Sequence, residues 1–170
     1  MTPIRRAEPG DELAVAHVQN RAWKAGYRGL LPQEYLDGLD VSRRAGGYTF
    51  DRSLPEGPVT LLAPADDQPV AGFVTIGRSR DDGLADHAEV WAMYVDPDHW
   101  GDGTGRLLIE SARDTLRDHH FDRCALWVLE GNSRARRFYE RDGWSPDGAR
   151  RVDIIGSASA AHVRYRRAIA

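Results

Sequence analysis

The stretch Glu89-Val-Trp-Ala-Met-Tyr-Val-Asp-Pro-Asp-His-Trp-Gly-Asp-Gly-Thr-Gly-Arg106 constrains the fold more than any other part of the chain. Val90 to Val95 is a short apolar run rich in aromatic and β-branched residues, which predicts a buried strand, and Asp96-Pro97 ends it because proline cannot continue a ladder. Gly101, Gly103 and Gly105 then alternate, and the apolar-periodic residues Leu107, Leu108, Ile109, Ala112 and Leu116 follow at once, which predicts a helix. A glycine loop opening a helix presents free N–H groups and the positive end of the helix dipole, an arrangement suited to phosphate oxygens. The plainer alternative is a turn that binds nothing. Two nucleotide signatures are excluded: a G-x-G-x-x-G pattern needs glycine where Arg106 or Leu108 stands, and a P-loop needs a Gly-Lys-Ser/Thr triplet that the chain lacks.

A length of 170 residues fits one domain spanning 1–170, with 41% apolar and 29% charged residues in the globular range. Net charge is −3, so no global basic field points to nucleic acid. No apolar run is long enough to span a bilayer, and the first residues lack the apolar core of a signal peptide, so a cytoplasmic protein with no membrane partner is expected. The single cysteine, Cys124, excludes an internal disulfide and lies in a strand-like run, Cys124 to Val128, where a buried core thiol is expected. The six histidines show no H-x-x-x-H or cysteine-paired spacing, so no metal is expected; His119 and His120 sit where a helix should end.

In chain order, the sequence predicts a first strand at Pro3 to Ala7 and a helix from Asp11 to Ala25 that Gly26 interrupts. A second helix begins at Pro32 with Tyr35, Leu36 and Leu39 on its apolar face, and a less regular helical piece covers Val41 to Leu54. Val59 to Ala63 and Val70 to Ile76 flank a polar turn and read as a hairpin, and a mobile aspartate-rich loop, Ser79 to Asp86, leads to a fourth strand at His87 to Val95. After the helix that follows the glycine loop come a fifth strand (Cys124 to Val128), a turn at Glu130-Gly-Asn132, a helix ended by Gly143, and closing strands at Trp144 to Val152 and His162 to Arg167 around Gly156 to Ala160. Three consecutive strands without intervening helices imply antiparallel pairing, so the class is α+β rather than doubly wound.

Trp100, Gly103 and Gly105 occupy the three slots of a Q/R-x-x-G-x-G/A pattern, and Asn132-Ser-Arg-Ala-Arg-Arg-Phe-Tyr139 fits N-x-x-A-x-x-F-Y followed by Gly143-Trp144. With the element order, these residues resemble the GNAT superfamily of N-acetyltransferases over nearly the whole chain, with Trp100 departing from the usual Gln or Arg. The resemblance implies a mixed sheet of about seven strands with flanking helices, splayed between strands four and five. It implies acetyl-CoA as cosubstrate, no metal, and direct attack on the acetyl group by a primary amine of a small molecule or peptide in a ternary complex. An acyl-CoA-binding sensor domain without turnover is the alternative. The molecule is expected as a monomer or homodimer.

Site roles follow from the same resemblance. Met93, Tyr94 and Val95 would pair their backbone with the amide-rich pantetheine arm, in the manner of an added strand, and polarise the thioester carbonyl. Gly101, Asp102, Gly103, Thr104, Gly105 and Arg106 would hold the pyrophosphate, with Arg106 either contacting it or solvated on the helix face. Asn132 would bond the pantetheine arm or order the turn beside it, Ala135 and Phe138 would line the arm, and the Tyr139 hydroxyl would protonate the leaving thiolate. Glu89 is the candidate base for the attacking amine, Glu130 the second candidate, and water alone a third; a solvated or ion-paired glutamate is the plainer reading of Glu89. Trp23, Tyr27 and Tyr35 would line the acceptor pocket or simply pack in the core, and Asp81, Asp82 and Asp86 would form an acidic rim or stay solvated.

Overall fold

The computed structural model describes residues 3–170. The apolar runs around the polar Asp66-Asp67-Gln68 turn form an antiparallel hairpin of β2 (Val59–Ala63) and β3 (Gly72–Arg78), because alternate side chains bury on both faces of the sheet. β1 (Arg5–Arg6) pairs with β2 at one edge, and β4 (Ala88–Val95) pairs antiparallel with β3 on the other side. β5 (Arg123–Leu129) then runs parallel to β4, while β6 (Ser145–Ile155) and β7 (Ala158–Ala168) form a hairpin that adds β7 next to β5. The seven strands lie in the order β1-β2-β3-β4-β5-β7-β6. Helices α1 (Glu12–Gly26), α2 (Gln33–Asp37) and α3 (Val41–Ala45) precede β2, α4 (Thr104–Asp118) links β4 to β5, and α5 (Ser133–Arg141) links β5 to β6. This is the α+β mixed sheet expected, and none of the helices among the described residues is long and apolar enough to cross a membrane.

Each face of the sheet has its own core. The apolar stripe of α4, Leu108, Ile109, Ala112 and Leu116, packs on Val74, Ile76, Val90, Leu126 and Val128 with Tyr139, Trp144 and Tyr165. Each fully buried leucine there contributes about 1.5–3 kcal/mol relative to exposure. On the opposite face α1 places Val15 and Val18 against Leu62, Val70 and Phe73. A third cluster joins Leu31 and Leu36 to Leu129 and Ala160, with Trp23, Tyr27, Tyr35 and Ile155 around it, so the α1–α2 corner is fastened to β5 and β7.

The functional feature is where two neighbouring strands part. β4 and β5 are paired only at Ala88–Cys124, Glu89–Ala125 and Val90–Leu126. On its other side, β4 sets Val90 opposite Ile76 and Ala92 opposite Thr75, so Trp91 is the extra residue of a β-bulge. A bulge bends its strand and increases the local twist. Beyond Trp91 the two strands are no longer paired, and Met93 to Val95 on β4 and Trp127 to Leu129 on β5 line an open gap.

Several elements differ from the sequence expectation. β1 has two residues, Arg5 and Arg6 opposite Leu62 and Leu61, with the Ala7 N–H adding one bond to the Thr60 carbonyl at 2.8 Å past its end. α1 runs through Gly26 to a cap at Tyr27, whose N–H bonds the Trp23 carbonyl at 2.9 Å. Pro32 is the cap of α2 rather than its first helical residue, and α3 stops at Ala45 before Gly46-Gly47, well short of Leu54. The Ser79 to Asp86 loop is fastened rather than loose: Ser79 bonds the His87 carbonyl at 2.9 Å, Asp81 accepts from the Trp127 indole at 2.9 Å, and Asp82–Leu84 form a 3-10 turn. The closing hairpin turns tightly at Gly156-Ser157, so Ala158 to Ala161 lie in β7 instead of the loop.

Candidate active site

The gap between β4 and β5 opens into a cavity of about 660 Å³ that reaches from the glycine loop to the α1 corner and the β6–β7 hairpin. Its edge chemistry follows from strand alternation. The Asp96 N–H bonds the Ala71 carbonyl at 2.8 Å, so in the antiparallel pattern Tyr94, opposite Phe73, also turns its backbone groups toward β3. Met93 and Val95 therefore point theirs into the gap. The Trp100 indole N–H takes the Val95 carbonyl at 2.8 Å, which leaves the Val95 N–H and both backbone groups of Met93 on the open edge. Tyr94 thus departs from its expected role: its backbone is spent on β3, and it reaches the cavity through its ring.

Gly101 (φ 83°) and Gly103 (φ 96°) hold left-handed conformations that a side chain would strain, and a Cβ built on either meets nothing within 4 Å. The loop interior is therefore open. Asp102 caps the Thr104 N–H at 2.9 Å and accepts from His99 at 2.9 Å. That bond, with some help from Asp67 and against partial burial, holds the His99 imidazole above its ordinary pKa. Among the described residues, the N–H groups of Gly101, Asp102, Gly103, Gly105 and Arg106 have no protein acceptor, as expected for a loop entering a helix. Gly105 serves differently: its added Cβ would stand 3.3 Å from Phe138 and 3.5 Å from Met93, so it lets α4 and α5 approach closely. Arg106 is 78% exposed and pairs with Glu110 at 2.8 Å on the outer face of α4.

Asn132 caps α5 by accepting the Ala135 N–H at 3.1 Å, so it orders the turn while its buried side chain lines the cavity. Ala135 and Phe138 lie along the same wall. Tyr139 is 9% exposed, its ring edge-on to Phe138 and Trp144. Burial, then the neighbouring Tyr94, pushes its phenol well above the ordinary tyrosine range. The hydroxyl is consequently a neutral donor at physiological pH.

Glu89 lies in the cavity wall at 2% exposure, held by Arg80 through the guanidinium at 2.6 and 3.2 Å and the backbone N–H at 2.8 Å. It is the one carboxylate among the described lining residues. Glu130 is outside the cavity, 44% exposed and paired with Arg150 at 3.2 Å. Trp23 and Tyr27 line the cavity, but Tyr35 does not: it packs on Trp23 and beneath Gly156, whose added Cβ would come within 2.8 Å of its ring. Asp81 and Asp86 face arginines and a histidine instead of an approaching amine. Sequence reasoning missed Arg80, Trp91, Trp127, Arg134, Arg151 and His162 in the lining. Only Trp127 carried a signal, since it shares the strand alternation of Ala125 and Leu129.

Comparison with known proteins agrees with this geometry. Residues 20–144 match the model of the acetyltransferase (GNAT) family. A probable N-acetyltransferase of Mycobacterium tuberculosis is 28% identical, the match covering 96% of this chain and 91% of that protein. A mycothiol acetyltransferase of Beutenbergia cavernae is 43% identical over 85% of this chain, which spans 48% of that protein. Among solved structures, the PaiA N-acetyltransferase of Thermoplasma acidophilum in complex with coenzyme A superposes with a TM-score of 0.72 at 20% identity, covering 99% of each chain.

Proposed function

The chain belongs to the GNAT acetyltransferase family and is an acyltransferase, and from that premise we propose that residues 1–170 act as one N-acetyltransferase domain carrying acetyl from acetyl-CoA to a primary amine of a small molecule or peptide. The observation that carries the reading is convergence: an unpaired β4 edge, a glycine loop with free N–H groups and a neutral buried phenol all open into one cavity. Relatives named as a spermidine acetyltransferase and as peptidyl-lysine acetyltransferases are consistent with an amine acceptor.

The residues present fit acetyl-CoA. Open space inside Gly101 and Gly103, ringed by donors, suits a pyrophosphate. The free groups of Met93 and the Val95 N–H suit the peptide-like pantetheine arm. When bound, acetyl-CoA supplies the reactive thioester. The β4 edge orients it and donates an N–H where charge develops on the carbonyl oxygen, Glu89 accepts the proton of the incoming ammonium directly or through water, and Tyr139 returns a proton to the departing sulfur. Direct attack in a ternary complex is supported by one cavity lined from the glycine loop to the α1 corner and the β6–β7 hairpin, which offers cosubstrate and acceptor a common space. Thiol release from acetyl-CoA, followed over amines, polyamines, amino acids and N-terminal peptides, tests the reading. Release with no member of the panel, from protein whose melting temperature acetyl-CoA raises, would favour the non-catalytic sensor.

A further inference from the structure

Trp100 stands where the glycine-loop pattern usually has a Gln or Arg, and the structure supplies a cation from elsewhere. The Arg134 guanidinium carbon lies 3.4 Å from the centroid of the Trp100 ring, a stacked cation–π arrangement. Trp100 is fixed as the platform by its indole bond to the Val95 carbonyl at 2.8 Å. From α5 the Arg134 side chain crosses the cleft, its Nη2 lying 3.8 Å from where a Cβ on Gly26 of α1 would be. We propose that Arg134, held by Trp100, supplies the side-chain cation for the pyrophosphate of the bound cosubstrate that this loop lacks at position 100.

Arg134 and Arg141 are the cavity-lining arginines without an ion-pair partner among the described residues, and of the two Arg134 is the one stacked on Trp100. Of the arginines lining the cavity, Arg80 has Glu89, Arg106 has Glu110 and Arg151 has Asp153. Arg134 has no carboxylate within 4.0 Å among the described residues. It is exposed to the open cleft, yet crowding there lowers its pKa below the ordinary arginine value, against the opposing influence of Tyr27 and Tyr139. A cation that has shed part of its water without gaining a counter-charge is arranged for an anion that arrives later. A planar guanidinium suits phosphate oxygens, and stacking limits the side-chain freedom that binding would otherwise cost. Arg141, about two helical turns further along α5, also lines the cavity. The inference rests on the acetyl-CoA reading.

The test uses the full-length protein and the variants Arg134→Met, Arg134→Gln and Trp100→Leu, each checked by its melting curve. Dissociation constants are measured for coenzyme A and 3′-dephospho-coenzyme A, and kcat/KM for acetyl-CoA and S-acetylpantetheine with one accepted amine. Arg134→Met and Arg134→Gln should weaken both coenzyme A forms about tenfold or more, the range for losing a charge-assisted bond. They should leave kcat/KM with S-acetylpantetheine, which has no pyrophosphate, within about threefold of the parent at matched concentration. Trp100→Leu should give part of the same loss, and the double variant Trp100→Leu/Arg134→Met no more than Arg134→Met alone, because the two act as a unit. Equal loss on S-acetylpantetheine would overturn the proposal in favour of the pantetheine arm or the acceptor. Loss confined to coenzyme A and absent with the 3′-dephospho form would overturn it in favour of the 3′-phosphate. Failure of the parent protein to bind coenzyme A would instead remove the acetyl-CoA reading itself.

Discussion

Replacing Arg80 with methionine separates the two roles available to Glu89, a structural ion-pair partner or a proton acceptor. Glu89 is 2% exposed and receives three bonds from Arg80, two through the guanidinium and one through the backbone N–H. Stripping the partner from a fully buried pair costs about 3–5 kcal/mol. The Arg80 side chain is 51% exposed, so screening reduces that figure, and the backbone N–H survives the substitution. About 1–3 kcal/mol remains, which at about 2–4 °C per kcal/mol for a chain of this size is a fall of several degrees in Tm. The double variant Arg80→Met/Glu89→Gln should regain most of this, since it leaves no buried anion unpaired. Activity should part from stability. Arg80→Met keeps the carboxylate and should hold turnover within about tenfold, whereas Glu89→Gln should lose roughly two to four orders of magnitude and recover at alkaline pH, where the amine is already neutral. Calorimetry and thiol release on the four proteins of this cycle decide. Additive Tm changes would refute the buried-pair argument, and an unchanged rate in folded Glu89→Gln would leave proton removal to water.

Acetyl-CoA at a hundredfold over its dissociation constant should stabilise the protein by about 2.7 kcal/mol, read as a thermal shift, and no shift at millimolar concentration would remove it as ligand. Gly103→Val should fold with a modest stability loss from its strained φ of 96° and bind coenzyme A poorly, whereas Gly105→Val should lose stability even without ligand because its side chain meets Phe138 and Met93. Tyr139→Phe should slow turnover with coenzyme A affinity held within a few-fold, and because the parent phenol titrates above the ordinary tyrosine range, kcat should show no loss from its ionisation up to about pH 10. His99 has a raised pKa, so its bond to Asp102 adds stability that is fully present below about pH 6.5 and is lost as pH rises through the folded value. His99→Gln should flatten that part of the stability profile, measured by chemical denaturation.

The sequence made the centre of the molecule legible and left its rim obscure, for identifiable reasons. From Val90 to Leu116, period, turn chemistry and propensity agree, so strand, loop and helix appear where they were expected. Ala158 to Ala161 are small and carry no apolar alternation, yet they pair with β6 because the partner strand continues past them; tertiary pairing overrides weak propensity. The Ser79 to Asp86 loop reads as mobile by composition, but its fastening comes from Trp127 and Arg164, distant in the chain. Arg80 was missed for a related reason: only the folded loop returns it to Glu89. The placing of Tyr94 was legible in principle, since successive residues of a strand turn their backbone groups to opposite sides and Met93, Tyr94 and Val95 cannot all serve one edge.

One extra residue links these levels. Without Trp91 as a bulge, β4 would continue its parallel ladder with β5 past Val90 and Leu126, and the backbone groups of Met93 and Val95 would be spent on β5. The bulge is held by side-chain contacts as well as by register: the Trp91 indole donates to the Arg78 carbonyl at 3.0 Å, and its ring covers Gly77, where a Cβ would come within 3.0 Å. Arg80 lies 4.5 Å over the same ring while gripping Glu89. The residue that opens the cavity is therefore tied to the only carboxylate in the described lining. A Cβ at position 77 would stand 3.0 Å from the Trp91 indole, so a side chain there would press on the residue that forms the bulge.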